Sequence, residues 1–162
     1  MKAIENWKAA LCVVALVCVS ALASGGQSNR YKQDVELWYA AFDQNDPGLI
    51  DRILSKDWVD IPAGANQTPG PEGAKAVLHH LHSTFSDFSI KIEEVLQDGD
   101  KVIVRSRISG IQSGVFVGVA PTGQRIDIMA TDIHEFKNGK IVRTWHMEDW
   151  MTGLHQLGVL KK

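Results

Sequence analysis

Cysteine is almost absent from this chain: there are two, Cys12 and Cys18, and both fall within the first 23 residues. Beyond that point no disulfide, thiol nucleophile or cysteine-ligated metal is available, so core packing alone must hold the fold. An excess of one charge is also lacking. Seventeen Lys and Arg face 19 Asp and Glu, and no basic run exceeds Lys161-Lys162. That excludes a basic nucleic-acid surface as the organising feature. No two histidines stand four apart, so the helical zinc pair is missing, and His79, His80 and His82 read as helix rather than as a metal site. No internal repeat or low-complexity segment is present. Long apolar runs are missing too, with one exception.

That exception is residues 9–22, preceded by Lys2 and Lys8 and followed by Ala21-Leu22-Ala23. A basic start, a short apolar stretch and small residues at the cleavage positions predict a signal peptide over residues 1–23, and hence export to the periplasm or outside the cell. Neither Cys12 nor Cys18 follows the small residue that lipoprotein processing needs, so no lipid anchor is expected. Without Lys2, Glu5 and Lys8, the net charge of −2 becomes −3. Residues 24–162 are enough for a single domain with a sizeable core.

The remainder alternates between two periodicities. Val35, Trp38, Tyr39 and Phe42 have helical spacing within 29–45, and Asn45-Asp46-Pro47 ends that helix. A shorter helix follows around Leu49 to Leu54, then a brief strand at 58–62 closed by a proline, then a polar loop at 63–70. Pro71 opens a third helix with a stripe of Ala74, Val77, Leu78, Leu81 and Phe85. From Phe88 the pattern is strands: 88–96, 101–112 and a final hairpin, with a glycine-punctuated loop at 113–123 placed to cover a pocket mouth. The order predicts an α+β domain in which helices back a curved antiparallel sheet and enclose a cone-shaped cavity.

The hairpin within 124–158 is the richest stretch. Asn138-Gly139 between alternating residues predicts a two-residue type I′ turn. With those two as the loop, Phe136 faces Ile141, His134 faces Arg143, Asp132 faces Trp145, Ala130 faces Met147 and Ile128 faces Asp149. Alternation then puts Asp132, His134, Arg143, Trp145, Met147 and Asp149 on one pocket-like face, with His146 and Glu148 on the other unless a bulge intervenes.

Several runs carry a family likeness: Gly118 to Arg125 (GVAPTGQR), Thr131 to Val142 (TDIHEFKNGKIV), Trp145 to Asp149 (WHMED) and Gln156 to Gly158 (QLG). Together they resemble the SnoaL-like polyketide cyclase, or ester cyclase, family, whose members have the nuclear-transport-factor-2-like cone fold. The resemblance implies ring closure of a polyketide ester by intramolecular aldol condensation, without metal or cofactor. It assigns the acid/base aspartate to Asp149; the hairpin itself adds His134, on the same predicted face, and His146, close in sequence, as further acid/base candidates. Asp132, Arg143, Trp145, Met147 and Gln112 are the expected ligand contacts. Gln112 stands where many relatives have the histidine of a Gly-Thr-His-Thr-Gly run; glutamine can donate a hydrogen bond but cannot relay a proton. The resemblance also implies pairing of two copies through the sheet.

Three functions are compatible with these residues. One is a cofactor-independent cyclase, or related lyase or isomerase, acting on a small hydrophobic carbonyl compound. Another is a non-catalytic protein holding a small apolar molecule. A third is a ring-opening hydrolase, for which no motif is present. Trp38, Trp58, Trp145 and Trp150 suit an aromatic pocket or a plain core equally.

Overall fold

The computed structural model describes residues 20–160, and side chains from residue 31 onward. Most of the predicted leader and both cysteines lie outside the described residues. The elements are α1 (Ser20–Gln44), α2 (Pro47–Ile53), β1 (Leu54–Ile61), α3 (Pro71–Thr84), β2 (Phe85–Asp98), β3 (Lys101–Gln112), β4 (Arg125–Lys137), β5 (Lys140–Glu148) and α4 (Trp150–Gln156). Among the described residues no helix is long and apolar enough to cross a membrane.

Local chemistry sets the boundaries. Asp46 accepts a hydrogen bond from the Gly48 amide at 2.9 Å and Pro47 opens α2, a preferred start for a helix. Asn138 and Gly139 both have positive φ, 53° and 74°, as a type I′ turn requires. β4 alternates buried and exposed along nearly its whole length, so one row faces the core and the other faces out. Phe85, expected at the end of the third helix, instead opens β2, because helix α3 ends at Thr84.

The five strands form one curved sheet in the order β1-β5-β4-β3-β2. β2 to β5 make the expected antiparallel meander. β1 departs from a purely antiparallel sheet by pairing in parallel with β5 at the edge. Its connection to the rest runs through α3, long enough for a parallel crossover. The inner face of the sheet is filled from α1, whose Tyr31, Val35, Trp38, Tyr39 and Phe42 are all buried. Tyr31 stacks on Phe136 at 4.4 Å between ring centroids.

A bulge in the β4–β5 hairpin reorganises the face expected to carry the site. Phe136 pairs with Ile141 as predicted, but Glu135 pairs with Arg143, leaving Val142 as an extra residue on β5. Every later partner moves by one: His134 with Thr144, Asp132 with His146, Ala130 with Glu148. A one-residue slip exchanges the two faces of a strand. The predicted pairs His134–Arg143, Asp132–Trp145, Ala130–Met147 and Ile128–Asp149 are therefore replaced. Thr144, His146 and Glu148 turn inward, while Arg143, Trp145 and Met147 turn outward.

Candidate active site

One cavity, of about 90 Å³, lies between the sheet and the helices. A single water needs roughly 10–15 Å³ on this measure, so there is room for a small organic group. Its wall takes residues from seven elements: Trp38 and Phe42 from α1, Trp58 and Asp60 from β1, Val77 and Leu81 from α3, Phe88 and Ile90 from β2. β3 adds Ile108, β4 adds Ala130 and Asp132, and β5 adds Thr144, His146 and Glu148. The lining is apolar apart from one polar strip along β1, β4 and β5.

Asp132 is the centre of that strip. It is 6% exposed, and the Tyr39 hydroxyl donates to its Oδ2. Burial pushes the carboxyl up to about 6, against the opposing effect of the Tyr39 hydrogen bond. Burial and the neighbouring carboxylate hold the Tyr39 phenol well above its ordinary value, so it stays protonated. Behind it His134 is fully buried, and burial lowers its pKa to about 3, so the ring is neutral. Tyr39 Oη stands 3.4 Å from His134 Nε2, and His134 Nδ1 is 3.0 Å from Thr144 Oγ1. Trp58 Nε1 donates to the same Thr144 oxygen at 3.0 Å. One tautomer satisfies the whole chain: His134 Nε2–H donates to Tyr39, and Nδ1 accepts from the Thr144 hydroxyl.

The second polar group is His146. Its Nδ1 lies 2.9 Å from Glu148 Oε1, and its Nε2 lies 3.0 Å from the Pro62 carbonyl and 3.4 Å from Asp60 Oδ1. The Glu148 hydrogen bond raises His146 to about 9, so it is an imidazolium with both N–H groups held. Burial raises Asp60, against a hydrogen bond from Gln67 Nε2 at 2.9 Å.

The other expected site residues lie elsewhere. Asp149 is exposed and caps α4: Oδ1 accepts from the Thr152 amide at 3.0 Å and Oδ2 from the Thr152 hydroxyl at 2.6 Å. Those Thr152 bonds hold its carboxyl below the usual value, opposite to what a base in a dry pocket shows. Arg143 pairs with Glu135 at 2.7 Å on the outer face and lies over the Trp145 ring, while Met147 is 77% exposed. His82, on α3, bonds the Phe42 carbonyl at 2.6 Å and ties that helix to α1. Among the described residues no group of three or more His, Asp or Glu is arranged to hold a metal ion.

Gln112 is buried but does not line the cavity. It clamps the loop at 113–124: Nε2 donates to the carbonyls of Gly114, Val119 and Ala120 at 3.1–3.3 Å. Its Oε1 accepts from the Thr122 amide and hydroxyl. No residue of this loop lines the cavity; its Phe116 packs on Phe85 and Trp150 beside α4. Replacing Gln112 by Ala takes the partner from several part-buried loop groups at once and is expected to destabilise the protein by about 1–3 kcal/mol. Urea denaturation measures this, and a loss below about 1 kcal/mol would show that the loop holds itself.

Tyr39, Asp60, Thr144 and Glu148 were not legible as site residues. A tyrosine within an apolar helical stripe was the one available signal, since a buried phenol needs a hydrogen-bond partner. The inward turn of His146 and Glu148 follows from the bulge.

Comparison with known proteins supplies the relationship. The family model for SnoaL-like polyketide cyclases matches residues 33–157. TsrD from Streptomyces laurentii is 27% identical with a TM-score of 0.77, over 82% of this chain and 97% of that one. IdmH from Streptomyces antibioticus, a candidate polyketide cyclase, is 28% identical with a TM-score of 0.70, over 79% and 98%. A candidate polyketide cyclase from Bacillus cereus is 28% identical with a TM-score of 0.68, over 79% and 80%. Among curated proteins no match is found. The Gln156-Leu157-Gly158 run serves this architecture: Gln156 exchanges two hydrogen bonds with the Asp127 backbone, at 2.8 and 2.9 Å, docking α4 on β4. With the curved sheet, the cavity between it and the helices and a family match over residues 33–157, the chain is a member of the SnoaL-like polyketide cyclase family.

Proposed function

We propose that the protein performs cofactor-independent acid/base chemistry on a small carbonyl compound, with Asp132 as the proton-transfer group. The supporting observation is the position of Asp132: a carboxyl in an apolar cavity, held by Tyr39 and raised to about 6. A base that titrates near neutrality is half-ready both to take and to return a proton. In the cyclase form of the reaction, Asp132 removes a proton next to a carbonyl and an enolate forms. The enolate carbon attacks a second carbonyl of the same molecule, making one carbon–carbon bond. The protonated Asp132 then returns its proton to the alkoxide oxygen. His146 contributes fixed positive charge near the developing oxyanion, with Glu148 and Asp60 keeping the ring in place. Tyr39 orients Asp132 from behind the cavity wall.

Export belongs to the same reading and is supported by the leader-like residues 1–23. Pairing of two copies through the outer sheet face is supported by the exposed Met129 and Met147 there.

The test is deuterium exchange at the α-carbon of phenylacetone and related small ketones in D₂O, followed by proton NMR across pH. Asp132 must be ionised and His146 protonated, so exchange is expected to rise through about pH 6 and fall above about pH 9. A profile with no limb near 6, or no exchange above buffer for any ketone, removes the acid/base role. A plain binder of small apolar molecules would then be the better account.

A further inference from the structure

The cavity wall combines two features that point to one kind of ligand. The first is aromatic. Trp38 stands 5.0 Å from Phe42 and 5.7 Å from Trp58 between ring centroids, and both pairs are tilted. Phe88 continues this lining on the β2 side. Ring faces are electron-rich, and several around one space attract a cation more strongly than a neutral group of the same shape.

The second is electrostatic. The wall includes three carboxyls, Asp60, Asp132 and Glu148, and no lysine or arginine; its one cation is His146. With the carboxyls ionised, this strip carries two negative charges in excess. Burial is the main cause that pushes up Asp60 and Asp132, and the Glu148 charge adds to it in both. Asp132 is also incompletely used. Tyr39 occupies Oδ2, while Oδ1 of this nearly buried side chain takes no hydrogen bond from a described residue, and the carboxyl belongs to the cavity wall. An apolar pocket for neutral compounds has no need of uncompensated buried charge, which is unfavourable unless something pairs with it.

We infer that the ligand of this cavity is an organic cation, an alkylated ammonium group seated against Trp38, Phe42 and Trp58 and paired electrostatically with Asp132 and Asp60. The carboxyls do not converge as metal ligands do, which disfavours a hard cation. A primary ammonium needs several acceptors for its N–H groups, and aromatic faces supply few. A tertiary or quaternary ammonium is weakly hydrated and meets ring faces with its methyl groups, so it loses least on entering. Resting on the acid/base reading above, this makes the substrate a carbonyl compound that also bears a basic or quaternary nitrogen.

Calorimetry with three probes of one shape tests it: choline, the neutral 3,3-dimethylbutan-1-ol and the anionic 3,3-dimethylbutanoate, each at pH 8. Choline is expected to bind about tenfold more tightly than the alcohol, and the carboxylate most weakly. Phe42→Leu removes a ring face and Asp60→Asn a charge. Each is expected to cut the preference for choline over the alcohol about fivefold. Choline binding should also weaken below pH 6 as Asp132 takes a proton, with Tyr39, His134, Asp60, His146 and Glu148 as the groups around it. Equal or tighter binding of the alcohol overturns the inference. So does a choline preference that survives both substitutions, because the cation would then sit elsewhere. The two readings separate cleanly: ketone exchange without choline preference removes the cation assignment alone, and choline preference without exchange removes the acid/base role alone.

Discussion

Replacing Asp132 by Asn is expected to lower turnover about a thousandfold and to make the protein more stable at pH 8. The first effect follows from removing a general base, whose contribution is typically 10²–10⁴-fold. The second follows from linkage. Asp132 is raised from 3.8 to about 6 in the folded protein, chiefly by burial. A raised carboxyl favours the folded state fully below the unfolded value, and that contribution is lost as pH rises through the folded one. At pH 8 the ionised, buried carboxylate therefore opposes folding by up to roughly 3 kcal/mol. Asparagine keeps an oxygen for the Tyr39 hydroxyl and has no charge to bury. Activity and stability should move in opposite directions, as expected where a site is strained to do chemistry. Urea denaturation at pH 8 and at pH 3.5 checks the second effect: the two proteins should differ at the higher pH and converge at the lower. A variant less stable than the parent at pH 8 would show that the carboxylate is well compensated after all. Asp149→Asn is the paired control. Asparagine caps a helix as well as aspartate does, so both rate and stability should stay close to those of the parent.

The second large effect concerns acid. His134 is fully buried, and desolvation lowers it from 6.5 to about 3. For a group lowered on folding by burial, stability is present above the unfolded value and is lost as pH falls towards the folded one. Between pH 6.5 and 3 the unfolded chain gains a proton that His134 in the fold refuses, worth roughly 4 to 5 kcal/mol in total. Asp132 acts in the opposite sense between about 6 and 3.8, where the folded protein holds the extra proton. The two slopes cancel across that window in the parent protein. In Asp132→Asn the cancellation disappears, and stability should fall by about 1.4 kcal/mol for each pH unit below 6.5. Adding His134→Leu should flatten the slope again, whatever it does to stability at neutral pH. Denaturation midpoints of parent, single and double variants from pH 8 to 3.5 decide the matter. An unchanged slope in Asp132→Asn would place the acid sensitivity in other groups.

Local residue chemistry determined much of this protein on its own. The α1 stripe, the Asn138-Gly139 turn, the helix stop at Asn45-Asp46-Pro47 and the alternation of β3 and β4 each depend on neighbours within a few positions, and they appear in the structure as read. The helix-backed curved sheet follows from their order. The site was decided later and further away. One extra residue at Val142 exchanges the faces of β5, and nothing in an alternating strand announces which residue will be left unpaired. His146 and Glu148 thereby reach the cavity, and Arg143, Trp145 and Met147 leave it. Asp149 stands out in the sequence, but the same carboxyl can serve as a base in a cavity or as a cap on a helix, and its surroundings make it a cap on α4. The Tyr39–Asp132 pair joins residues 93 apart in sequence. Burial, which sets the protonation of Asp132 and His134, is a property of everything packed around them, so no reading of single residues contains it.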